Sequence, residues 1–264
     1  MSKFLIWLYG IYFFSSSFVL YCVAVVIWLL TAPFDPNRRA LHYFACAWGH
    51  HYLLLSPFWH TEYLGKELID PHKTYVLVSN HQSYFDILAL YGLFKPFKWV
   101  SKEEIFNIPM VGWNMRLNEY VCIKRGNIRS IKEMLQTCKE WLVKGASVLI
   151  FPEGTRSLDG EMIEFRDGAF RLACETKLPV VPIVVDGTFQ IFPKGAKVIN
   201  FKHAVRVQIL APVDPSLYGY SSAKMRDGIH ELMKRTLDEM RGRKTIGASS
   251  ETSSGRSAPT ATQS

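Results

Sequence analysis

The stretch Val76-Leu77-Val78-Ser79-Asn80-His81-Gln82-Ser83-Tyr84-Phe85-Asp86, continued by Ile87-Leu88-Ala89-Leu90-Tyr91, decides the fold. A β-branched apolar run stops at a polar cluster and a second apolar run follows, which predicts a strand, an exposed turn and a helix. His81 and Asp86 are five residues apart, so in one continuous helix they would point about 140° away from each other. They meet only if the helix starts between them. Ser83 suits an N-cap for a helix beginning at Tyr84, which leaves His81 on the turn and lets Asp86 fold back toward it. The same residues also spell a capping box, with Asp86 bonded to the Ser83 N–H and His81 an ordinary structural histidine. Both readings stay open on this stretch alone.

Outward from it, apolar β-rich runs alternate with helical patterns. Strands are predicted near Thr74–Ser79, Phe97–Val100, Glu119–Ile123, Ser147–Phe151, Val180–Val185 and Val205–Leu210. Helices are predicted over Ile128–Leu142, stopping at Gly145, and over Gly168–Thr176 and Ser222–Arg241. Unbroken apolar strands alternating with helices predict an α/β domain, a mostly parallel mixed sheet flanked by helices.

Upstream, no Asp, Glu, Lys or Arg occurs from Phe4 to Phe34. At ~1.5 Å per residue a helix of that length exceeds a ~30 Å hydrocarbon core, so an N-terminal membrane anchor is expected. A cleaved signal peptide fits worse, because the run is too long and no small-x-small site follows it clearly. Residues 40–61 lack formal charge but carry His42, His50, His51, His60, Trp48 and Trp59, a composition suited to an interfacial or re-entrant helix better than to a clean span. Arg38 and Arg39 outnumber Lys3, which favours a cytoplasmic face for the loop after the first helix. Residues 1–62 are thus read as membrane-anchoring helices, 63–243 as the α/β domain, and 244–264, rich in Ser, Thr and Ala, as a disordered tail. The chain has 264 residues and a net charge of +8, which by itself permits nucleic acid or an anionic membrane as partner. The apolar N-terminus decides for the membrane and against nucleic acid. Five cysteines are scattered without a C-x-x-C, and neither a zinc site nor a disulfide framework is expected.

Open α/β sheets place sites beyond the carboxyl ends of their strands. The strand ending at Phe151 runs into Pro152-Glu153-Gly154-Thr155-Arg156-Ser157. There Gly154 lets backbone approach a ligand and Arg156 offers a donor fork matched to phosphate; a surface turn with a Glu153–Arg156 ion pair fits equally well. The tail of the Glu119–Ile123 strand adds Lys124 and Arg125, and the Phe97–Val100 strand adds Lys102. Each of these also suits a solvated surface. The stretch Phe94–Val100, basic and aromatic, is read as a membrane contact, against a solvated turn leading into a sheet edge.

Asn80-His81-x4-Asp86, Lys102, Arg125, Phe151–Arg156 and Val181-Pro182-Ile183, in this order and spacing, resemble the motif blocks of the glycerolipid acyltransferases, nearest to the PlsC-like 1-acyl-glycerol-3-phosphate acyltransferases. The resemblance spans about Tyr75 to Gly187. It implies that His81 is a general base for a glycerol hydroxyl attacking an acyl thioester and that Asp86 holds its tautomer. It implies also that Arg156 and Arg125 hold an acceptor phosphate, that Glu153, Gly154 and Thr155 belong to that substrate pocket, and that Lys102 approaches the developing oxyanion. Glu119, Cys122 and Arg166 depart from the usual pattern, which bears on acceptor identity. No metal or cofactor is expected, since acyl-CoA or acyl carrier protein brings an activated thioester. The implied reaction makes phosphatidic acid from lysophosphatidic acid, on a membrane-associated domain facing the cytoplasm. Acylation of another lysolipid, a hydrolase in which His81 activates water, and a catalytically idle lipid-binding module are the alternatives.

Overall fold

A computed structural model describes residues 3–54, 60–124, 126–196, 199–200 and 203–243. Arg125 and the segment 244–264 therefore lie outside the described residues. The charge-free run from Phe4, with Lys3 ahead of it, forms one helix, α1 (Lys3–Thr31), which stops two residues before Pro33. Its segment Gly10–Thr31 is long and apolar enough to cross a membrane, and little of it is buried. The chain then reverses into α2 (Arg39–Leu54). This helix is no surface ribbon: Leu41, Trp48 and Tyr52 pack against Ala24 of α1, and the Tyr52 and Ser17 hydroxyls bond at 2.7 Å. His42 is buried as well, bonded to the Tyr120 hydroxyl and to the Lys95 carbonyl. Burial pushes its pKa down to about 3.

The sheet contains β1 (Thr61–Leu64), β2 (Val76–Ser79), β3 (Lys98–Lys102), β4 (Val121–Ile123), β5 (Val148–Ile150), β6 (Val180–Asp186) and β7 (Val205–Ile209). Their spatial order is β1-β7-β6-β2-β5-β3-β4. All neighbours pair in parallel except β6 and β7, so β7 and β1 run against the other five. This is the mostly parallel mixed sheet that the alternating pattern predicts. Every residue of β2, β5 and β6 is buried, as expected of strands covered on both faces. Successive side chains point to opposite faces: Val76 and Val78 enter one core and Leu77 the other. β1 is absent from the expectation because Thr61-Glu62-Tyr63-Leu64 has no apolar run and is only half-buried. It also straddles the domain boundary expected after residue 62.

Helices α3 (Phe85–Tyr91), α4 (Glu103–Phe106) and α5 (Val111–Leu117) follow β2 and β3, and α6 (Ile128–Val143), α7 (Gly168–Thr176), α8 (Thr188–Ile191) and α9 (Ser222–Met240) complete the order. Asn127 caps α6 by accepting from Ser130 N, and Gly145, at φ 79°, ends that turn where the sequence signals it. α3 starts one residue later than expected; the Ser83 hydroxyl accepts from Phe85 N at 3.2 Å.

Two expectations are corrected. Glu119 has φ 54° and pairs with Arg38 at 3.0 Å, so the strand there begins only at Val121. Of the stretch Phe94–Val100, Phe97, Lys98 and Trp99 are buried and Phe94 is exposed, so any basic, aromatic surface is confined to Phe94 and the half-buried Lys95. Lys98 is tied inward: its ammonium donates to Asn118 O at 2.7 Å and lies 4.1 Å above the Trp141 ring.

Candidate active site

Because β2, β3, β5 and β6 are parallel, their carboxyl ends share one edge, and the residues following them converge there. Asn80 first extends the ladder with its side chain: its amide donates to Val185 O and accepts from Val185 N, both at 2.8 Å. That bond pins the turn carrying His81 against β6.

His81 Nδ1 donates to Asp86 Oδ2 at 2.8 Å. The same oxygen accepts from Gln82 N at 2.7 Å and Ser83 N at 2.8 Å. The capping box and the His-Asp pair are therefore one arrangement. Asp86 is fully buried, and its other oxygen accepts from the Thr188 hydroxyl. With the Nδ1 proton directed at a carboxylate, the ring is the tautomer whose Nε2 carries a lone pair. The imidazole stacks on Phe151, centroids 4.0 Å apart, and Phe151 stacks in turn on Trp99.

His81 borders a cavity of about 360 Å³. Much of its wall is apolar: Trp48 and Tyr52 from α2, Leu88 from α3, Trp99, Ile105 and Met115. Lys102, Thr155, Arg156 and Lys194 line the same cavity. The Arg156 guanidinium sits 3.8 Å from the Tyr84 ring centroid, and its Nη1 is buried with no hydrogen-bond partner among the described residues. The Glu153–Arg156 surface pair is not formed.

Glu153 and Gly154 stand elsewhere than expected. The Glu153 carboxyl is buried away from the cavity lining and accepts from His81 N at 2.8 Å and Ile163 N at 3.4 Å. Burial pushes its pKa up to about 8, opposed by those two N–H groups. Ser157 N donates to His81 O at 2.9 Å, so the loop after β5 holds both backbone groups of the histidine. Gly154, at φ 70°, faces a different cavity, where a Cβ would lie 2.6 Å from Arg166 Nε. Of the residues singled out from sequence, His81, Lys102, Thr155 and Arg156 share the cavity, Asp86 and Glu153 support His81 from behind, and Gly154 faces away. Thr188 and Lys194 were not anticipated. Thr188 lies two residues beyond β6, a strand tail like the others, whereas Lys194 lies in a loop without a motif.

The acyltransferase family model matches residues 60–186. The chain is 40% identical over 230 residues to the chloroplastic 1-acyl-sn-glycerol-3-phosphate acyltransferase LPAT1 of Arabidopsis thaliana, covering 85% of this chain and 64% of that one. It is 42% identical over 196 residues to a 1-acyl-sn-glycerol-3-phosphate acyltransferase of Chlamydomonas reinhardtii, covering 70% and 57%. The chain thus spans about three fifths of the length of these curated relatives. The crystal structure of the 1-acyl-sn-glycerophosphate (LPA) acyltransferase PlsC from Thermotoga maritima matches 87% of this chain and 96% of its own at a TM-score of 0.64 and 26% identity. The parallel-sheet edge that carries His81 and Asp86, the Glu153–Arg156 loop and these likenesses make residues 60–186 an acyltransferase domain.

Proposed function

We propose that the protein transfers an acyl group from an acyl thioester to the sn-2 hydroxyl of lysophosphatidic acid, giving phosphatidic acid. The observation that carries this reading is the sharing of one cavity by His81, its Nδ1 committed to Asp86, and by Arg156, whose buried Nη1 lacks a partner among the described residues. A buried, unpaired guanidinium nitrogen is costly unless a ligand completes it, and a phosphate fits its planar fork.

His81 Nε2 takes the hydroxyl proton as the oxygen attacks the thioester carbonyl. Asp86 stabilises the imidazolium that results. As the tetrahedral intermediate collapses, the C–S bond breaks and the imidazolium returns the proton to the leaving thiolate. Lys102 stands on the same cavity, suited to the developing oxyanion or to the phosphate. Arg156 holds the phosphate, joined by Arg125 as the family resemblance implies. Glu153 acts through the His81 backbone rather than on substrate. The apolar walls built by α2, α3 and α5 suit an acyl chain, and α1 anchors the domain to the bilayer where a lysolipid resides, with the domain facing the cytoplasm. The thioester is already activated, so the step needs no metal or cofactor. The donor is acyl-CoA or acyl carrier protein.

Thiol release by purified protein, measured with a panel of lysolipids and both donors, tests the reading. Turnover should require the lysolipid, favour lysophosphatidic acid and fall ~10²–10⁴-fold in His81→Ala. Turnover without acceptor would instead indicate hydrolysis.

A further inference from the structure

We infer that Lys194 selects the acceptor class, admitting a phosphate monoester in preference to a zwitterionic phosphodiester headgroup. The inference rests on the acyl-transfer reading above and concerns a residue outside the sequence motifs.

Three cations line the His81 cavity, Lys102, Arg156 and Lys194, and no carboxylate does so among the described residues. None of the three has a carboxylate partner there, whereas Arg38, Lys139, Arg241 and Arg243 are all neutralised by ion pairs. Lys194 is aimed by local structure. Its ammonium donates to the Thr155 hydroxyl at 3.3 Å, one residue before Arg156. The loop that carries it is fastened to the catalytic turn, since the Ser83 hydroxyl donates to Phe192 O at 2.7 Å and Phe192 N donates to Thr188 O at 3.1 Å. Ser83, on the turn between His81 and α3, therefore also helps set the place of the third cation.

The charge arithmetic gives the selectivity. A phosphate monoester carries about −1.5 to −2 at neutral pH, so it gains from each of three cations. An ethanolamine phosphodiester carries one negative charge and an ammonium, which the same cations repel. Removing one cation should cost the monoester more than the zwitterion.

The experiment measures KM and kcat of the full-length protein for lysophosphatidic acid, with lysophosphatidylethanolamine as alternate substrate or competitive inhibitor, in wild type and in Lys194→Gln, Lys194→Glu and Lys194→Arg. Lys194 is exposed, so the variants should fold, which thermal melting checks. For Lys194→Gln we expect KM for lysophosphatidic acid to rise about tenfold with kcat nearly unchanged, as one lost charge-assisted hydrogen bond implies. The zwitterion should bind as well or better, Lys194→Glu should exaggerate both effects, and Lys194→Arg should restore the wild-type ratio. An unchanged KM for lysophosphatidic acid in Lys194→Gln, or an equal shift for both lipids, overturns the inference. Absence of lysophosphatidic acid turnover in wild type would overturn the parent reading instead.

Discussion

Asp86 is over-determined: four donors converge on its two oxygens. Three come from its own turn; those from His81 and the Ser83 N–H were legible in the spacing as alternatives, and the Gln82 N–H joins them. The fourth, Thr188, comes from 102 residues away, and no local pattern announces a contact that only the sheet order creates. Removing that hydroxyl frees Asp86 Oδ1 and loosens the imidazole. Thr188→Val should lower kcat about tenfold with KM little changed, and Thr188→Ser should restore it; an equal loss in both would make Thr188 a packing residue only. Glu153 makes a prediction of opposite character. With its pKa raised from 4.5 to about 8, the folded protein binds more protons than the unfolded chain between those values. The contribution to stability is full below about pH 4.5 and is lost as pH rises to about 8. Melting temperatures across this window should fall more steeply for wild type than for Glu153→Gln, and equal slopes would refute a mostly protonated Glu153.

At the scale of elements, the strand tails carry the site because they are held from outside the strands. β6 ends in Asp186-Gly187-Thr188, and Gly187 has φ 93° with its missing Cβ only 2.1 Å from Ala204 O. β5 is followed by Phe151–Arg156, where the missing Cβ of Gly154 meets the flexible end of Arg166. Backbone cannot yield as a side-chain tip can, so Gly187→Ala should destabilise by about 1 kcal/mol or more beyond Gly154→Ala and lower activity by displacing Thr188. Urea unfolding with parallel activity assays checks this ranking, and equal losses would contradict it. The continuous apolar strands and the amphipathic α6, α7 and α9 were readable because burial on both faces leaves an unbroken apolar run and burial of one stripe leaves a helical period. β1, α4, α5 and α8 were not, since four to seven residues carry too little period. The cationic tails were readable as candidates, but which of them faces His81 depends on side-chain direction. Glu153 and Gly154 turned away, while Thr155, Arg156 and Lys102 turned in.

At the scale of the whole molecule, α1 and α2 contribute to the cavity as well as to the proposed anchor. Phe13 of α1 and Trp48 and Tyr52 of α2 line it, while Phe18, Leu29 and Leu30 on α1 are exposed by 59%, 61% and 69%. Replacing those three by Ser should release the protein from sedimenting vesicles, at roughly 1.5–3 kcal/mol of transfer free energy each. Turnover of detergent-dispersed substrate should persist; retained sedimentation would place the membrane contact elsewhere. The central claim is that His81, poised on Asp86, acts as a base toward a lysolipid whose phosphate sits on Arg156. Its most direct test is phosphatidic acid formation from lysophosphatidic acid and acyl-CoA, or acyl carrier protein thioester, by purified wild type, His81→Ala and Arg156→Ala. The account predicts product with wild type, a loss of ~10²-fold or more in kcat with His81→Ala, and a rise in KM for the lysolipid with Arg156→Ala. Undiminished product formation by a folded His81→Ala protein would contradict it.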